Sequence, residues 1–320
     1  MGNKVLVTGA TGFVGRKLCA ELVSRGKGVI GVGRRSGGNI VPSGVTYHRL
    51  DLEAAELNEF DTSDVGCIIH LAGQAHGKGG RDGQGLDSFR RMNVDVSLKL
   101  ASLAIEAGVR RFVFVSSIGV HGTVTNGKAI TENAPFEPSS PYTLSKMEAE
   151  LELIKLFKSA PDSELTIVRP PLVYGVDAPG NFGSLIKLAD SSFPLPFGVC
   201  DNRRSLVSIT RLVDFLIACA CHPAAGGQCF VVADSSVVST REIVASLRAG
   251  MGRAGRLVAV PRVLMASVLG GLGKRDMFTQ LFCDLEIDNR KARTVLDWVP
   301  CEDTAGELEI IGKLYADSHI

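Results

Sequence analysis

Residues 5–15 read Val-Leu-Val-Thr-Gly-Ala-Thr-Gly-Phe-Val-Gly, and this stretch decides the fold. An apolar strand runs directly into three glycines, each separated from the next by two residues, and a helix follows. The first glycine permits a sharp turn, the second lets the backbone approach a pyrophosphate, and the third lets the helix pack closely. The free N–H groups at the start of the helix then face an anion. The stretch therefore predicts a phosphate-binding turn.

Short apolar strands alternate with helical segments through the first 175 residues. The predicted strands are Lys4–Thr8, Gly28–Gly33, Val45–Arg49, Val65–Leu71, Phe112–Ser117 and Leu165–Arg169, and the predicted helices are Gly12–Ser24, Ser88–Ala107 and Ser145–Lys158. Near-continuous apolar strands separated by helices indicate a parallel sheet covered on both faces, and right-handed crossovers make it doubly wound. The sequence predicts an α/β protein whose residues 1–175 form a dinucleotide-binding domain with a doubly wound parallel Rossmann sheet.

The pattern changes after Gly175, where prolines interrupt the chain and helices become the main feature. Val207–Cys221 and Thr240–Met251 are predicted as helices. We expect residues 176–320 to form a smaller, mostly helical substrate region whose chain can interleave with the first domain. The apolar run Val263–Gly273 is predicted as a core helix, with a membrane-surface helix as the alternative.

The composition excludes several classes of protein. Thirty-five Lys and Arg against 34 Asp and Glu leave a net charge of +1, so no nucleic-acid partner is expected. No apolar run approaches the roughly 20 residues of a membrane span, and membrane contact is not expected. The eight cysteines lie mostly in apolar runs, and Cys219-Ala-Cys221-His222 lacks the spacing of common zinc sites, so no metal is expected. A cytoplasmic location is the expectation, since no signal peptide is evident.

A tyrosine and a lysine stand four residues apart in Pro141-Tyr-Thr-Leu-Ser-Lys146. This spacing places both side chains on one face of a helix. A neighbouring ammonium group lowers the pKa of a phenol, which would bring Tyr142 toward the range of a useful general acid and base. Ser116 and Ser117 end the fifth strand at its carboxyl side, where ligands bind in such sheets. These residues predict an active site.

The combination resembles the extended short-chain dehydrogenase/reductase family, which contains nucleotide-sugar epimerases, dehydratases and ketoreductases. The resemblance covers essentially the whole chain, and it rests on the glycine turn, Asp51-Leu52, His70-Leu-Ala-Gly73, Asn93 and the Tyr142/Lys146 pair. It implies cofactor contacts at the following residues: Gly9, Thr11, Gly12, Phe13, Val14, Gly15, Arg34, Arg35, Asp51, Leu52, Leu71, Ala72, Gly73, Asn93, Ser116, Tyr142, Lys146 and Pro170.

The same resemblance implies a catalytic group of Ser117, Tyr142 and Lys146, in which the Ser117 hydroxyl bonds the reacting substrate oxygen. Dehydratases of the family carry an Asp-Glu pair directly after this serine, whereas Ile118-Gly119 stand here. Neither residue can move a proton, so 4,6-dehydration is not expected. His121 stands where many relatives have tyrosine, and two roles stay open for it, in the sugar pocket or as a structural histidine.

On the substrate side, the resemblance implies that a nucleoside-diphosphate hexose, UDP-linked, is the partner molecule. The contacts it implies are Ser117, His121, Asn181, Arg204 and Arg275. Asn181 begins a helix, and the two arginines match family positions that contact a diphosphate, for which a planar guanidinium is well suited. The C-terminal pattern resembles members that handle UDP-N-acetylhexosamine derivatives in bacterial surface-polysaccharide pathways. A homodimer is a candidate assembly.

Two reactions and one non-enzymatic role are compatible with this pattern. The main interpretation is a 4-ketoreductase and the alternative is a 4-epimerase; the third possibility is a cofactor-binding protein without catalysis. NADP is the expected cofactor and NAD the alternative, because Gly33 stands where an NAD enzyme has an acidic residue for the ribose hydroxyl, and Arg34-Arg35 follow it. NADPH is the usual donor in reductive biosynthesis, so this expectation favours the ketoreductase.

Overall fold

The computed structural model describes residues 4–54, 62, 64–75 and 84–318. Its strands are β1 (Lys4–Thr8), β2 (Gly28–Gly33), β3 (Val45–Arg49), β4 (Val65–His70), β5 (Arg111–Val115), β6 (Glu164–Arg169), β7 (Leu172–Tyr174), β8 (Leu206–Ser208) and β9 (Cys229–Val231). Its α-helices are α1 (Phe13–Ser24), α2 (Gln84–Arg90), α3 (Val96–Glu106), α4 (Pro141–Lys158), α5 (Gly180–Asp190), α6 (Ile209–Cys221), α7 (Thr240–Gly250), α8 (Arg262–Gly271), α9 (Arg275–Phe282), α10 (Arg290–Leu296) and α11 (Thr304–Asp317).

A seven-stranded parallel sheet with the order β3-β2-β1-β4-β5-β6-β9 forms the centre of the fold. Side chains alternate across each strand, so Val5 and Val7 pack under α1 and α6, while Leu6 packs under α3 and α4. The order reverses between β1 and β4, and this switch point is where open α/β sheets bind ligands. The predicted α/β class with a doubly wound Rossmann sheet is confirmed, and the six predicted strands occur as β1 to β6.

The second half of the chain adds elements to the main sheet and its core and also forms a second core. Strand β9 joins the main sheet beside β6, and α6 and α10 pack on the same core. A separate core lies beneath α5, α7, α9 and α11, next to the small parallel sheet of β7 and β8. The cavity between this second core and the carboxyl ends of the main strands contains the candidate site.

Three local predictions are wrong. The predicted helix Ser88–Ala107 is interrupted by a π-helical turn, Arg91–Asp95. Helix α4 begins at Pro141 and not at Ser145, because Ser140 caps it with Thr143 in a capping box and proline suits the first turn. Val207 lies in β8, so the helix that follows begins at Ile209.

Helix α8 also differs from its predicted role as a core helix. Of its ten residues, all of them described, Leu269 is buried while the other nine are partly or largely exposed. Among the described residues, no helix combines the length and the apolar content that a bilayer crossing requires.

Candidate functional site

The glycine turn after β1 has the close approaches that its sequence predicts. Gly9 has a φ of +70°, and a Cβ added there would lie 3.0 Å from the backbone nitrogen of Ala72. A Cβ added to Gly15 would lie 2.2 Å from the Gly9 carbonyl oxygen, so only glycine lets α1 pack on the turn. Gly12 precedes the first helical residue and has no side chain that could cap the N–H groups of the helix. The first N–H groups of α1 therefore remain available to an anion.

A cavity of about 490 Å³ opens over this turn at the switch point of the sheet. Most of the predicted cofactor residues line it: Gly9, Thr11, Gly12, Phe13, Arg34, Arg35, Leu52, Leu71, Ala72 and Gly73. Arg16, Ile40, Leu50, Met92, Asp177 and Pro179 also line it and were not predicted. Arg16 could have been predicted from the sequence, because it lies in the first turn of the helix whose start is expected to face an anion.

Other predicted cofactor residues lie outside the described lining of this cavity. Val14 packs into the core and Gly15 lies against the turn. Asp51 is exposed, with a carboxylate that accepts from the backbone of Glu53. The Pro170 carbonyl accepts from the backbone of Ile118, and Ser116 is buried with a hydroxyl that has no partner among the described residues.

The end of β2 contains no acidic residue, and Tyr47 from β3 fills the space beside it. The Tyr47 hydroxyl lies 2.9 Å from the Gly33 carbonyl oxygen and 2.5 Å from that of Arg35. A Cβ added to Gly33 would lie 3.0 Å from both this hydroxyl and Thr11 Oγ1. The Arg34 and Arg35 side chains are exposed at the cavity edge. The turn therefore presents two cations and no carboxylate.

Asn93 acts as a brace between two segments of the site. Its Nδ2 donates to the Gln74 carbonyl and to Ser145 Oγ, and its Oδ1 accepts from the Gln74 backbone N–H. The residue is fully buried in the π-helical turn that interrupts the predicted helix, and such bulges are frequent at functional sites. Asn93 thus fixes the loop after β4 against helix α4.

His70 is a structural residue. Its Nδ1 lies 2.7 Å from Thr8 Oγ1 and its Nε2 lies 2.9 Å from Ser97 Oγ. The Ser97 hydroxyl donates to the Asn93 carbonyl, so it accepts from the imidazole. Burial is the main cause that lowers the pKa of His70 to about 3, so the ring stays neutral and cannot serve as a base near neutral pH. His76 lies outside the described residues.

Lys146 lies behind Gly73 in the wall of the first cavity. A Cβ added to Gly73 would lie 3.3 Å from Lys146 Nζ. The ammonium donates to the Val115 carbonyl at 3.0 Å and lies 4.6 Å from the centre of the Phe114 ring. Burial lowers the pKa of Lys146 to about 8. Lys146 therefore reaches the cofactor side of the site, next to the residues that the sequence assigns to the cofactor.

Tyr142 and Ser117 line a second cavity of about 430 Å³, whose described lining residues all differ from those of the first. Burial raises the pKa of Tyr142, and its hydrogen bond with Ser117 offsets part of that rise. The expectation that Lys146 lowers this pKa is wrong in this structure, because the Lys146 ammonium is turned to the Val115 carbonyl. Ser117 Oγ also accepts from the Gly119 backbone N–H at 3.1 Å, which fixes its rotamer. The two hydroxyl-bearing side chains thus line the same cavity.

The lining of the second cavity includes a buried cation. Arg204 is 8% exposed, donates to the Cys283 carbonyl at 3.1 Å and forms no ion pair with a described residue. Burial lowers its pKa, which is the signature of a charge without a full counterion. Asn181, in the first turn of α5, lines the same cavity. Arg275 is exposed at the start of α9 and lies outside the described lining, whereas Met277, Gln280 and Leu281 of that helix belong to it.

His121 lies outside both cavities and has a structural role. Arg169 donates to its Nε2 at 2.7 Å, and its Nδ1 lies 3.0 Å from the Pro135 carbonyl, to which it therefore donates. The ring stacks on Phe136, with centroids 5.5 Å apart. Both nitrogens are occupied, so the predicted substrate contact at His121 has no free group. Arg169 continues this network to Glu150, which is fully buried on α4.

Comparisons with known proteins agree with this arrangement. Residues 5–233 match the model of the "NAD dependent epimerase/dehydratase family". A protein of Vibrio cholerae named UDP-glucose 4-epimerase is 34% identical over 308 residues, which cover 94% of this chain and 92% of that protein.

Two solved structures have the same fold. The UDP-glucose 4-epimerase of Thermotoga maritima with UDP-glucose has a TM-score of 0.79 at 20% identity, and the match covers 99% of this chain and 100% of that one. The UDP-glucuronic acid 4-epimerase of Bacillus cereus in complex with NAD has a TM-score of 0.78 at 21% identity, with 98% and 99% covered. With most of its length matched by the family model, and with the glycine turn and the Ser117–Tyr142 pair in place, the chain belongs to the NAD dependent epimerase/dehydratase family.

Proposed function

We propose that this protein interconverts two UDP-linked hexoses or N-acetylhexosamines that differ in configuration at C4. The observation that carries the proposal is the position of the Ser117 and Tyr142 hydroxyls. They line the second cavity, the proposed substrate cavity, and Lys146, one helical turn after Tyr142 on α4, brings its ammonium to within 3.3 Å of a Cβ added to Gly73 in the lining of the first cavity. The 34% identity to a protein named UDP-glucose 4-epimerase supports epimerisation over the other reactions of the family.

The first cavity fits a dinucleotide. The turn around Gly9 and Gly12 is a cradle that a Cβ would fill, and the start of α1 supplies N–H donors for a pyrophosphate. Arg34 and Arg35 would hold the adenosine part, and Lys146 would bond ribose hydroxyls near Gly73. When bound, a nicotinamide cofactor would supply the hydride acceptor and donor for C4 of the sugar.

Tyr142 performs the proton transfer at the C4 oxygen. In one half-reaction the phenolate form of Tyr142, which burial disfavours in the ligand-free protein, removes the C4 hydroxyl proton as the C–H bond breaks, which leaves a 4-keto sugar. In the second half-reaction the phenol returns the proton as hydride reaches the opposite face, so protons and electrons balance. Ser117 donates to the same oxygen and holds it in line with the phenol. The two half-reactions invert C4 provided that the keto sugar turns over between them.

Arg204 and Asn181 would hold the diphosphate. A buried guanidinium without a counterion is unfavourable until an anion binds, and its fork matches phosphate oxygens. Apolar side chains in the lining of the same cavity, which include Leu172, Leu185 and Leu206, would exclude water from the rest of the ligand.

We expect Arg204→Ala to raise KM for the UDP-sugar by roughly 10- to 100-fold with little change in kcat. Loss of a hydrogen bond to a charged group costs about 1.5–3 kcal/mol, and the diphosphate lies away from the reacting carbon. Steady-state kinetics would measure both constants. Arg203→Ala is the matched control, because Arg203 is exposed and paired with Glu286. For Arg275→Ala we expect a smaller increase in KM. An unchanged KM in Arg204→Ala would contradict the diphosphate site.

A UDP-sugar panel tests the proposed reaction. Incubation of the purified protein with UDP-glucose, UDP-N-acetylglucosamine and their C4 epimers, with catalytic NAD, should give the same equilibrium mixture from either epimer. Chromatographic separation of the sugars would show this. No conversion of any member of the panel would contradict epimerisation.

A 4-ketoreductase is the second candidate, and the end of β2 favours it. Gly33, Arg34 and Arg35 offer no carboxylate to repel a 2′-phosphate, and Asp177 is the single acidic residue in the described lining of the cavity. Asp177 lies 3.9 Å from Arg16, away from this turn. NADP would fit these arginines, whereas the match to a family described as NAD dependent favours NAD.

Calorimetric titration of both cofactors separates these possibilities. If the arginines bind a 2′-phosphate, the wild type binds NADP more tightly than NAD, and the Arg34→Ala/Arg35→Ala double variant loses that preference by about 10-fold or more, as expected for charge-assisted hydrogen bonds. Arg49→Ala, which removes a neighbouring exposed cation bonded to the Arg34 carbonyl, is the control. Equal or tighter binding of NAD would remove this support for the ketoreductase.

A further inference from the structure

Helix α8 exposes an apolar face to solvent. Val263 is 78% exposed, Leu264 54%, Val268 48% and Leu272, the residue that caps the helix, 65%. At about 100° per residue, these four side chains, together with Ser267 and Gly271, occupy one half of the helix circumference. Leu269 on the other half is buried in the second core. The exposed half of α8 therefore contains no charged side chain.

Cations flank this face without matching anions. Residues 253–275 contain five basic residues and no acidic residue, and Asp276 is the first acid after them. Arg253 is paired with Asp190, but Arg256, Arg262, Lys274 and Arg275 form no ion pair with a described residue. By the same count Arg262 lies on the half of α8 that contains Leu269, over the Phe278 ring. The cations that flank the apolar face along the chain are therefore Arg256 before the helix and Lys274 and Arg275 after it. The net charge of +1 for the whole chain conceals this local excess.

The apolar face lies beside the substrate cavity. Helix α8 packs on α9, from which Met277, 43% exposed, lines that cavity. The segment that leads into α8 pairs with residues 195–198 through Leu195 and Leu257. In this paired segment Val258 and Val199 are exposed as well. Exposed apolar side chains thus occur in the segment before α8, on α8 itself and on the helix that lines the cavity.

We propose that the exposed face of α8 and its flanking cations form a docking surface for an anionic lipid bilayer. Apolar side chains of an interfacial helix insert at the level of the headgroups, and lysine and arginine beside them bind anionic lipids. A second copy of the chain is a poor occupant, since a two-fold contact through α8 would bring together two sets of unpaired cations with no acidic residue in the segment. The proposal does not depend on the reaction proposed above.

Vesicle flotation of the full-length protein tests the proposal. The wild type should float with vesicles of equal parts phosphatidylglycerol and phosphatidylcholine, should not float with pure phosphatidylcholine, and should lose binding at high salt. Val263→Ser/Leu264→Ser should weaken binding by about 30-fold, because two large apolar side chains no longer insert. Ile310→Ser/Leu314→Ser is the matched control, with two exposed apolar residues on α11, and should bind as the wild type does.

Thermal unfolding of the α8 variant should be unchanged, which shows that the variant is folded. Three results would overturn the proposal: no flotation of the wild type with anionic vesicles, equal flotation of the α8 variant, or a dimer in sedimentation velocity that the α8 substitutions dissociate. The last result would assign the face to a second copy of the chain.

Discussion

Replacement of Tyr142 by Phe is expected to lower kcat by about 10²-fold or more. The substitution removes the group that moves the C4 hydroxyl proton, and general acid–base catalysis contributes 10²–10⁴-fold. The aromatic ring, its burial and its contact with Phe89 remain, so the cavity keeps its shape. Steady-state rates with the UDP-sugar would measure the loss, and calorimetry should show that cofactor affinity is unchanged.

Two variants of neighbouring residues sharpen this test. Ser117→Ala should lower kcat less than Tyr142→Phe does, since Ser117 holds the oxygen but does not move its proton. Lys146→Met should lower both kcat and cofactor affinity, because the ammonium lies behind Gly73 in the wall of the first cavity. Retention of most activity by Tyr142→Phe would show that another group transfers the proton.

Glu150→Ala is expected to lower the free energy of unfolding by about 3–5 kcal/mol. Glu150 is fully buried, and its carboxylate accepts from Nε of Arg169 at 3.0 Å and from Nη2 at 2.5 Å. Its removal leaves the Arg169 guanidinium, 4% exposed, without a counterion, and breaking a buried pair from one side costs this much. Denaturant unfolding with a comparison of midpoints and slopes would measure the change.

Glu148→Ala provides the matched control on the same helix. Glu148 pairs with Arg90 at 2.6 Å, but both side chains are partly exposed, so the loss should be under about 1 kcal/mol. The Glu150→Met/Arg169→Met double variant should recover part of the stability, because no buried charge then lacks a partner. A loss in Glu150→Ala no larger than the control's would mean that water or another group compensates Arg169.

The sequence predicts the main sheet well because local patterns determine it. Buried parallel strands are apolar on both faces. The glycine turn requires a positive φ at Gly9 and leaves no room for a side chain at Gly15. Strand β9 was not predicted, since three residues at the sheet edge have no pattern of their own and form only because β6 offers a free edge. The start of α4 was predictable from Ser140-Pro141, a capping signal that the prediction overlooked.

The site was predicted in its residue types more than in its electrostatics. The positions of Ser117, Tyr142, Asn181 and Arg204 in one cavity follow from strand ends and helix starts. The pKa of Tyr142 depends on how deeply the side chain is buried and on the direction in which the Lys146 side chain points. Neither property can be read from the spacing of the two residues along a helix. The role of His121 is likewise a tertiary property, because both of its partners are distant in sequence.

Helix α8 shows a similar limit. Its apolar run is compatible with either a core or a surface position, since hydropathy does not record which neighbours arrive to cover a helix. The net charge of the whole chain does not reveal the basic segment around α8 either, because acidic residues elsewhere in the chain balance it.

Transfer of a C4 label tests the central claim most directly. UDP-hexose that carries deuterium at C4 would be incubated with the protein and catalytic cofactor, and both epimers would be analysed by mass spectrometry and NMR. If hydride leaves C4 and returns to its opposite face while Tyr142 moves only the hydroxyl proton, both epimers retain deuterium at C4. Exchange of the label with solvent, or no epimer together with NADPH-dependent reduction of a 4-keto sugar, would contradict the account.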